Sequence, residues 1–128
     1  MNPRSPCPHA PSEKAAGLAQ APFGVVGLET ALAVALTELY HTGLMSLPDL
    51  LATMTCHPAR LFSLPGGRLT VGALADVTIF DPQATWTVAP DRFYSLGRNT
   101  PFAGRELRGK PWGTILAGRF AFREGQVL

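Results

Sequence analysis

Apolar positions recur at helical spacing in the first half of the chain and in strand-like runs in the second. Leu28, Leu32, Ala35, Leu36 and Leu39 fall on one face of a helix predicted from near Gly27 to about Thr42. Gly43 is a suitable stop, because glycine enters the left-handed conformation cheaply. Ser46-Leu47-Pro48-Asp49 then reads as an N-cap, an early proline and a first-turn acid. Leu47, Leu50, Leu51 and Met54 give that second helix its apolar stripe. Pro58 is expected to break or restart it, with Ala59 to Leu64 continuing as a short helical turn.

After Pro65-Gly66-Gly67 the pattern changes. Leu69 and Val71 lead to a turn at Gly72, and Ala75 to Phe80 is a near-continuous apolar strand with Val77 and Ile79 on one face. Asp81-Pro82 should end it, and Trp86 to Val88 is a short strand. Asp91 to Glu106 carries turn signals at Gly97, Asn99, Pro101 and Gly104. Gly113 to Leu116 and Arg119 to Phe122 read as a hairpin through Ala117-Gly118, with Phe120 and Phe122 on one face. Residues 1–22, rich in Pro, Ala and Ser, read as a loop. Helices first and strands after predict an α+β fold rather than alternating βαβ units.

Composition narrows the class. At 128 residues the chain suits one small domain with a modest core and is too short for a complete TIM barrel, which needs about 250 residues. With 46% hydrophobic and 16% charged residues it is too apolar for disorder, and such a chain fits a piece that packs against more protein. The net charge is only +2, and the arginines neither cluster nor alternate with aromatics, so nucleic acid is not an expected partner. No apolar run is long enough to span a membrane, and the N-terminus lacks the apolar core of a signal peptide. Cys7 and Cys56 form no CxxC pair and no disulfide framework. A reducing, cytoplasmic setting is the expectation.

Few residues offer chemistry. His9, flanked by Pro8 and Pro11, would present its imidazole at a defined angle suited to hydrogen-bonding an anion; the alternative is a plain loop histidine. Phe23-Gly24 is a second candidate, since glycine lets a ligand approach the main chain; the alternative is a simple turn before a helix. Glu29 reads as a first-turn acid favoured by the helix dipole, and His41 as a cation-tolerant position near a helix C-terminus. His57 before Pro58 and Cys56 read as structural. Arg98-Asn99-Thr100 reads as a polar turn tying loop to sheet. No histidine pair has metal-ligand spacing with a third ligand nearby.

Taken together, Pro8-His9, Ser12-Glu13-Lys14, Phe23-Gly24 and Gly27-Leu28-Glu29-Thr30 resemble the dihydroorotase family of the amidohydrolase superfamily. Cys56-His57-Pro58-Ala59-Arg60-Leu61-Phe62 and Leu74 to Asp81 extend the resemblance, as do Gly97 to Phe102 and Leu116 to Arg119. The match covers nearly the whole chain from Pro8 onward. It implies the C-terminal portion of such an enzyme: residues 1–22 an N-terminal loop carrying the histidine, 23–64 the last barrel helices, and 65–128 part of a β-sandwich. In the family that sandwich recruits strands from the N-terminal segment, so an open sheet edge is expected here.

The family closes carbamoyl aspartate reversibly to dihydroorotate in pyrimidine synthesis. A zinc-bound hydroxide attacks the ring amide and an aspartate shuttles a proton. The resemblance assigns substrate binding to His9, Phe23 and Gly24, and assigns no catalytic or metal-binding residue to this chain. The position of the family's aspartate, four residues before His9, is Ser5, and Met1 to Cys7 reads as unrelated sequence. The family's metal ligands lie upstream of the matching region. Alone, the chain is therefore expected neither to hold a catalytic zinc nor to turn over substrate. Its expected associations are the missing barrel half or self-association. One alternative is a non-catalytic scaffold that docks on aspartate carbamoyltransferase, and another is a piece of a different cyclic amidase such as a hydantoinase or allantoinase.

Overall fold

The computed structural model describes Gln20 and residues 24–128. Helical elements come first and an antiparallel sheet follows, the α+β order expected. The described residues divide into two compact units: those of Met1–Ala31 with Thr87–Leu107, and those of Leu32–Trp86 with Arg108–Leu128.

The second unit holds most of the regular structure. Helix α1 (Ala31–Ala35) runs directly into a π-helical turn (Leu36–Tyr40), closed by the His41 N–H donating to the Leu36 carbonyl at 2.9 Å. The wider turn breaks the 3.6-residue period on which the expected stripe was drawn. Ala33 and Leu36 are buried, whereas Leu28 is 92% exposed because Gly27 to Thr30 form a turn ahead of the helix. Thr37 Oγ1 donates to the Ala33 carbonyl at 2.7 Å and accepts from the Arg108 N–H at 2.9 Å. One hydroxyl thus joins the helical turn to the sheet.

Helix α2 (Leu47–Met54) starts as read. Ser46 caps it in extended conformation, its Oγ accepting from the Asp49 N–H at 3.3 Å and donating to the Asp49 carboxylate at 2.6 Å. Leu50 is its buried anchor. The break falls at Thr55 rather than at Pro58. Helix α3 (Cys56–Leu61) restarts at once, and Pro58 lies in its first turn, where a missing N–H costs nothing.

The sheet has four strands in the order β1-β2-β3-β4: Val77–Thr87, Glu106–Leu116, Arg119–Arg123 and Gln126–Val127. Asp81-Pro82 does not end β1, as the pattern predicted; the strand runs through it for 11 residues. It is an edge strand, where proline is tolerated. Asp81 Oδ1 accepts from the amides of Gln83 and Ala84, and the Pro82 carbonyl accepts from His41 Nε2 at 2.8 Å. Leu69 and Val71 form no strand and are 82% and 108% exposed. The predicted hairpin through Ala117-Gly118 is present, with φ of 49° and 79°, the left-handed pair that a two-residue turn requires. That turn is tied to the entry of β1: Ala117 N–H donates to Asp76 Oδ1 and Gly118 N–H to the Ala75 carbonyl. Glu124-Gly125 repeats the conformation and adds β4, a strand the apolar pattern did not signal.

At Gly109 the sheet packs closely against the helical turn. It has φ +99°, and a Cβ there would lie 2.3 Å from Leu36 Cδ1 and 3.3 Å from Leu36 Cβ. Leu36 is fully buried and cannot swing away. Gly109→Ala is therefore expected to lower stability by about 2–4 kcal/mol through overpacking and backbone strain. Chemical denaturation of the variant against the parent measures it, and an unchanged midpoint would contradict this packing.

Candidate functional site

Of the residues expected to bind substrate, His9 and Phe23 lie outside the described residues. Gly24 is described, and it belongs to the first unit. Its φ of 116° is open to glycine and strained for any side chain. The Gly24 carbonyl accepts from Asn99 Nδ2 at 2.8 Å, and the Val26 N–H donates to the Asn99 carbonyl at 2.7 Å. Asn99 thus grips the main chain on both sides of Val25, whose side chain is left 54% exposed. The turn at Arg98 to Thr100 was legible as polar and structural. Its target was not: the tie runs to the irregular segment at Gly24 to Val26, not to the sheet.

A second brace lies next to the first. Glu29 stands ahead of α1, so it is not the first-turn acid that the pattern implied. Its carboxylate accepts from the backbone amides of Tyr94 at 3.1 Å and Ser95 at 2.9 Å. Arg98 Nη1 donates to the Ser95 and Gly97 carbonyls, which folds the same loop back on itself. Below these ties Val26, Thr30, Val88, Phe93 and Leu107 are buried. Thr30 Oγ1 donates to the Gly27 carbonyl at 3.2 Å, so its buried hydroxyl is satisfied.

Partial burial on its own raises the Glu29 carboxyl. The Ser95 amide and hydroxyl, the Tyr94 amide and the Arg98 charge outweigh it, and the net position is below the ordinary 4.5. A depressed folded-state value means the brace contributes fully above pH 4.5 and is lost as pH falls through that lower value. Titration of the Tyr94 and Ser95 amide shifts by NMR should accordingly show a midpoint below 4.5; a midpoint at or above it would contradict the hydrogen bonding described. Asn99→Ala removes the side-chain bond to Gly24 and is expected to cost about 1–2 kcal/mol locally. Amide exchange at Val26 should then speed up about tenfold, without loss of the far-ultraviolet helix signal.

The donors needed for a metal centre are not assembled here. Among the described residues no group of three His, Cys, Asp or Glu side chains could hold an ion. His41 Nε2 is taken up by Pro82, and Cys56 Sγ donates to the Ala52 carbonyl at 3.7 Å. The described residues therefore do not fit a zinc site. In the second unit, a broad groove of about 780 Å³ runs between the helices and β1, lined mainly by apolar side chains such as Leu32, Leu51, Met54, Leu69 and Phe80. No helix of the described residues is long and apolar enough to cross a membrane.

Comparison with known proteins places these features in context. The model of the amidohydrolase family matches residues 19–121. A dihydroorotase of Pelotomaculum thermopropionicum is 47% identical over 91% of this chain and 27% of its own length. A dihydroorotase of Shouchella clausii is 43% identical over 94% of this chain and 28% of its own. Among solved structures, the L-hydantoinase (dihydropyrimidinase) of Arthrobacter aurescens superposes with a TM-score of 0.80 at 36% identity. That match covers 85% of this chain and 25% of the hydantoinase. The chain thus spans little more than a quarter of the length of the curated relatives it matches.

Proposed function

The chain belongs to the amidohydrolase family, and from that membership we propose that it is the C-terminal portion of a dihydroorotase-type cyclic amidohydrolase. In this reading residues 23–64 carry the last helices of a TIM barrel and residues 65–128 part of the accompanying β-sandwich. Residues 1–22 bring His9 to the rim of the active site. The complete enzyme interconverts N-carbamoyl-L-aspartate and dihydroorotate, and in it zinc supplies a nucleophile at neutral pH.

This chain's share of that chemistry is orientation. His9 would hydrogen-bond the substrate carboxylate, and the main chain at Phe23-Gly24 would line the ring. The observation that carries the reading is the Asn99 clamp. It fixes the backbone at Gly24 through two short hydrogen bonds and so provides the rigid frame that a substrate-facing loop needs. The sequence likeness to proteins named dihydroorotase supports the substrate class. The apolar surface supports a missing barrel: Leu28, Leu61, Val71 and Leu96 are among the strongly exposed side chains, and they are suited to being covered by more of the same fold.

A second reading is a hydantoinase-type cyclic amidase, favoured by the likeness to the Arthrobacter enzyme. One experiment separates the two. The chain is assayed with zinc, alone and mixed with a separately expressed barrel portion that carries the metal ligands and the aspartate, on carbamoyl aspartate and on a hydantoin. We expect turnover of carbamoyl aspartate in the mixture only. Turnover of the hydantoin alone would favour the second reading. Turnover by the isolated chain, or by neither sample, would overturn the assignment of an orienting half.

A further inference from the structure

A smaller cavity of about 370 Å³ lies against helix α3 in the second unit. Its lining includes Cys56, Ala59, Arg60, Ser63, Gly67 and Arg68. The volume falls within the range of small-molecule pockets. Part of its wall is packed backbone. Leu64 N–H donates to the Ala59 carbonyl at 2.8 Å, which folds the chain after α3 back over it. Ser63 and Gly67 both take positive φ, 54° and 77°. At Gly67 even a Cβ is excluded, since it would meet Ala59 Cβ at 2.8 Å, Cys56 Cα at 3.1 Å and the Thr55 carbonyl at 3.1 Å.

The charge is one-sided. Arg60, Arg68 and Ser63 belong to the lining, with no Asp or Glu in it; Asp76 lines the adjoining groove. Neither Arg60 nor Arg68 makes a side-chain hydrogen bond or an ion pair with another described residue. Guanidinium forks match oxyanions two bonds at a time, and two of them balance a dianion. We propose that this cavity is a binding site for a small phosphoryl oxyanion of the phosphate-ester or pyrophosphate class, held by Arg60 and Arg68 with Ser63 as a hydroxyl donor. The inference stands independently of the proposed catalytic role.

Cys56 in the lining provides the probe. With Cys7→Ser as background, one thiol remains, and its alkylation by anionic iodoacetate and by neutral iodoacetamide is compared at low ionic strength. Thiol reactivity follows local potential and access. In water, a guanidinium about 6 Å from a reacting thiolate favours an anionic reagent on the order of threefold. We expect the iodoacetate-to-iodoacetamide ratio to fall several-fold in Arg60→Gln/Arg68→Gln. Inorganic pyrophosphate at millimolar concentration should slow both reagents at least threefold in the parent and not in that variant.

Arg60→Lys/Arg68→Lys keeps the charge and removes the forks. It should preserve the ratio and lose most of the pyrophosphate protection. Circular dichroism confirms that each variant is folded, and the lysine pair carries the test should the glutamine pair not fold. A ratio indifferent to both arginines, or protection that persists in both variants, would overturn the proposal. Protection by malonate equal to that by pyrophosphate would overturn the phosphoryl assignment in favour of a dicarboxylate.

Discussion

The helical and sheet parts of the second unit meet where a leucine side chain lies against bare backbone. Leu36 is fully buried, and it fits only because β2 presents Gly109 to it in a conformation that other residues resist. The neighbouring Thr37 hydroxyl spans the same junction, bonded to Ala33 behind it and Arg108 ahead of it. Position and register are thereby fixed together. Leu36 sets the depth of the helix on the sheet, and Thr37 sets which residue of β2 it faces. The π-helical turn begins at this junction and spans Leu36 to Tyr40.

The first unit uses a different principle. Its loop from Tyr94 to Asn99 has little regular structure, and its order comes from polar side chains spent on backbone. Glu29 satisfies two consecutive amides, Arg98 two carbonyls, and Asn99 bonds to Gly24 and Val26. A loop held in this way can keep one backbone carbonyl in place without a hydrophobic core of its own size. Such a brace gives the backbone at Gly24 the rigid frame that the proposed substrate-orienting role calls for.

Both units leave large apolar side chains in solvent, and the buried set among the described residues is short. Those surfaces are the expected counterpart of a chain that spans about a quarter of its relatives' length. The outer side of the long edge strand β1 has no partner strand among the described residues. Pro82 in the middle of that edge limits how far another strand could continue the ladder.

Much of the local structure was legible in the sequence. The Ser46 cap and the hairpin at Ala117-Gly118 both rest on short-range chemistry: a hydroxyl reaching an amide three residues on, or a pair of positions that tolerate positive φ. The family was legible too, because its motifs are made of such local pieces. What the sequence hid was long-range. The strand through Asp81-Pro82 persists because β1 lies at an edge and Pro82 is bonded to His41, 41 residues away. Glu29 serves a loop 65 residues distant and not its own helix. Asn99 holds Gly24 across 75 residues. Periodicity and capping rules report on neighbours within a turn or two of backbone, so the sequence by itself determined the elements and the lineage. Which polar group meets which distant backbone atom was decided only when packing brought them together.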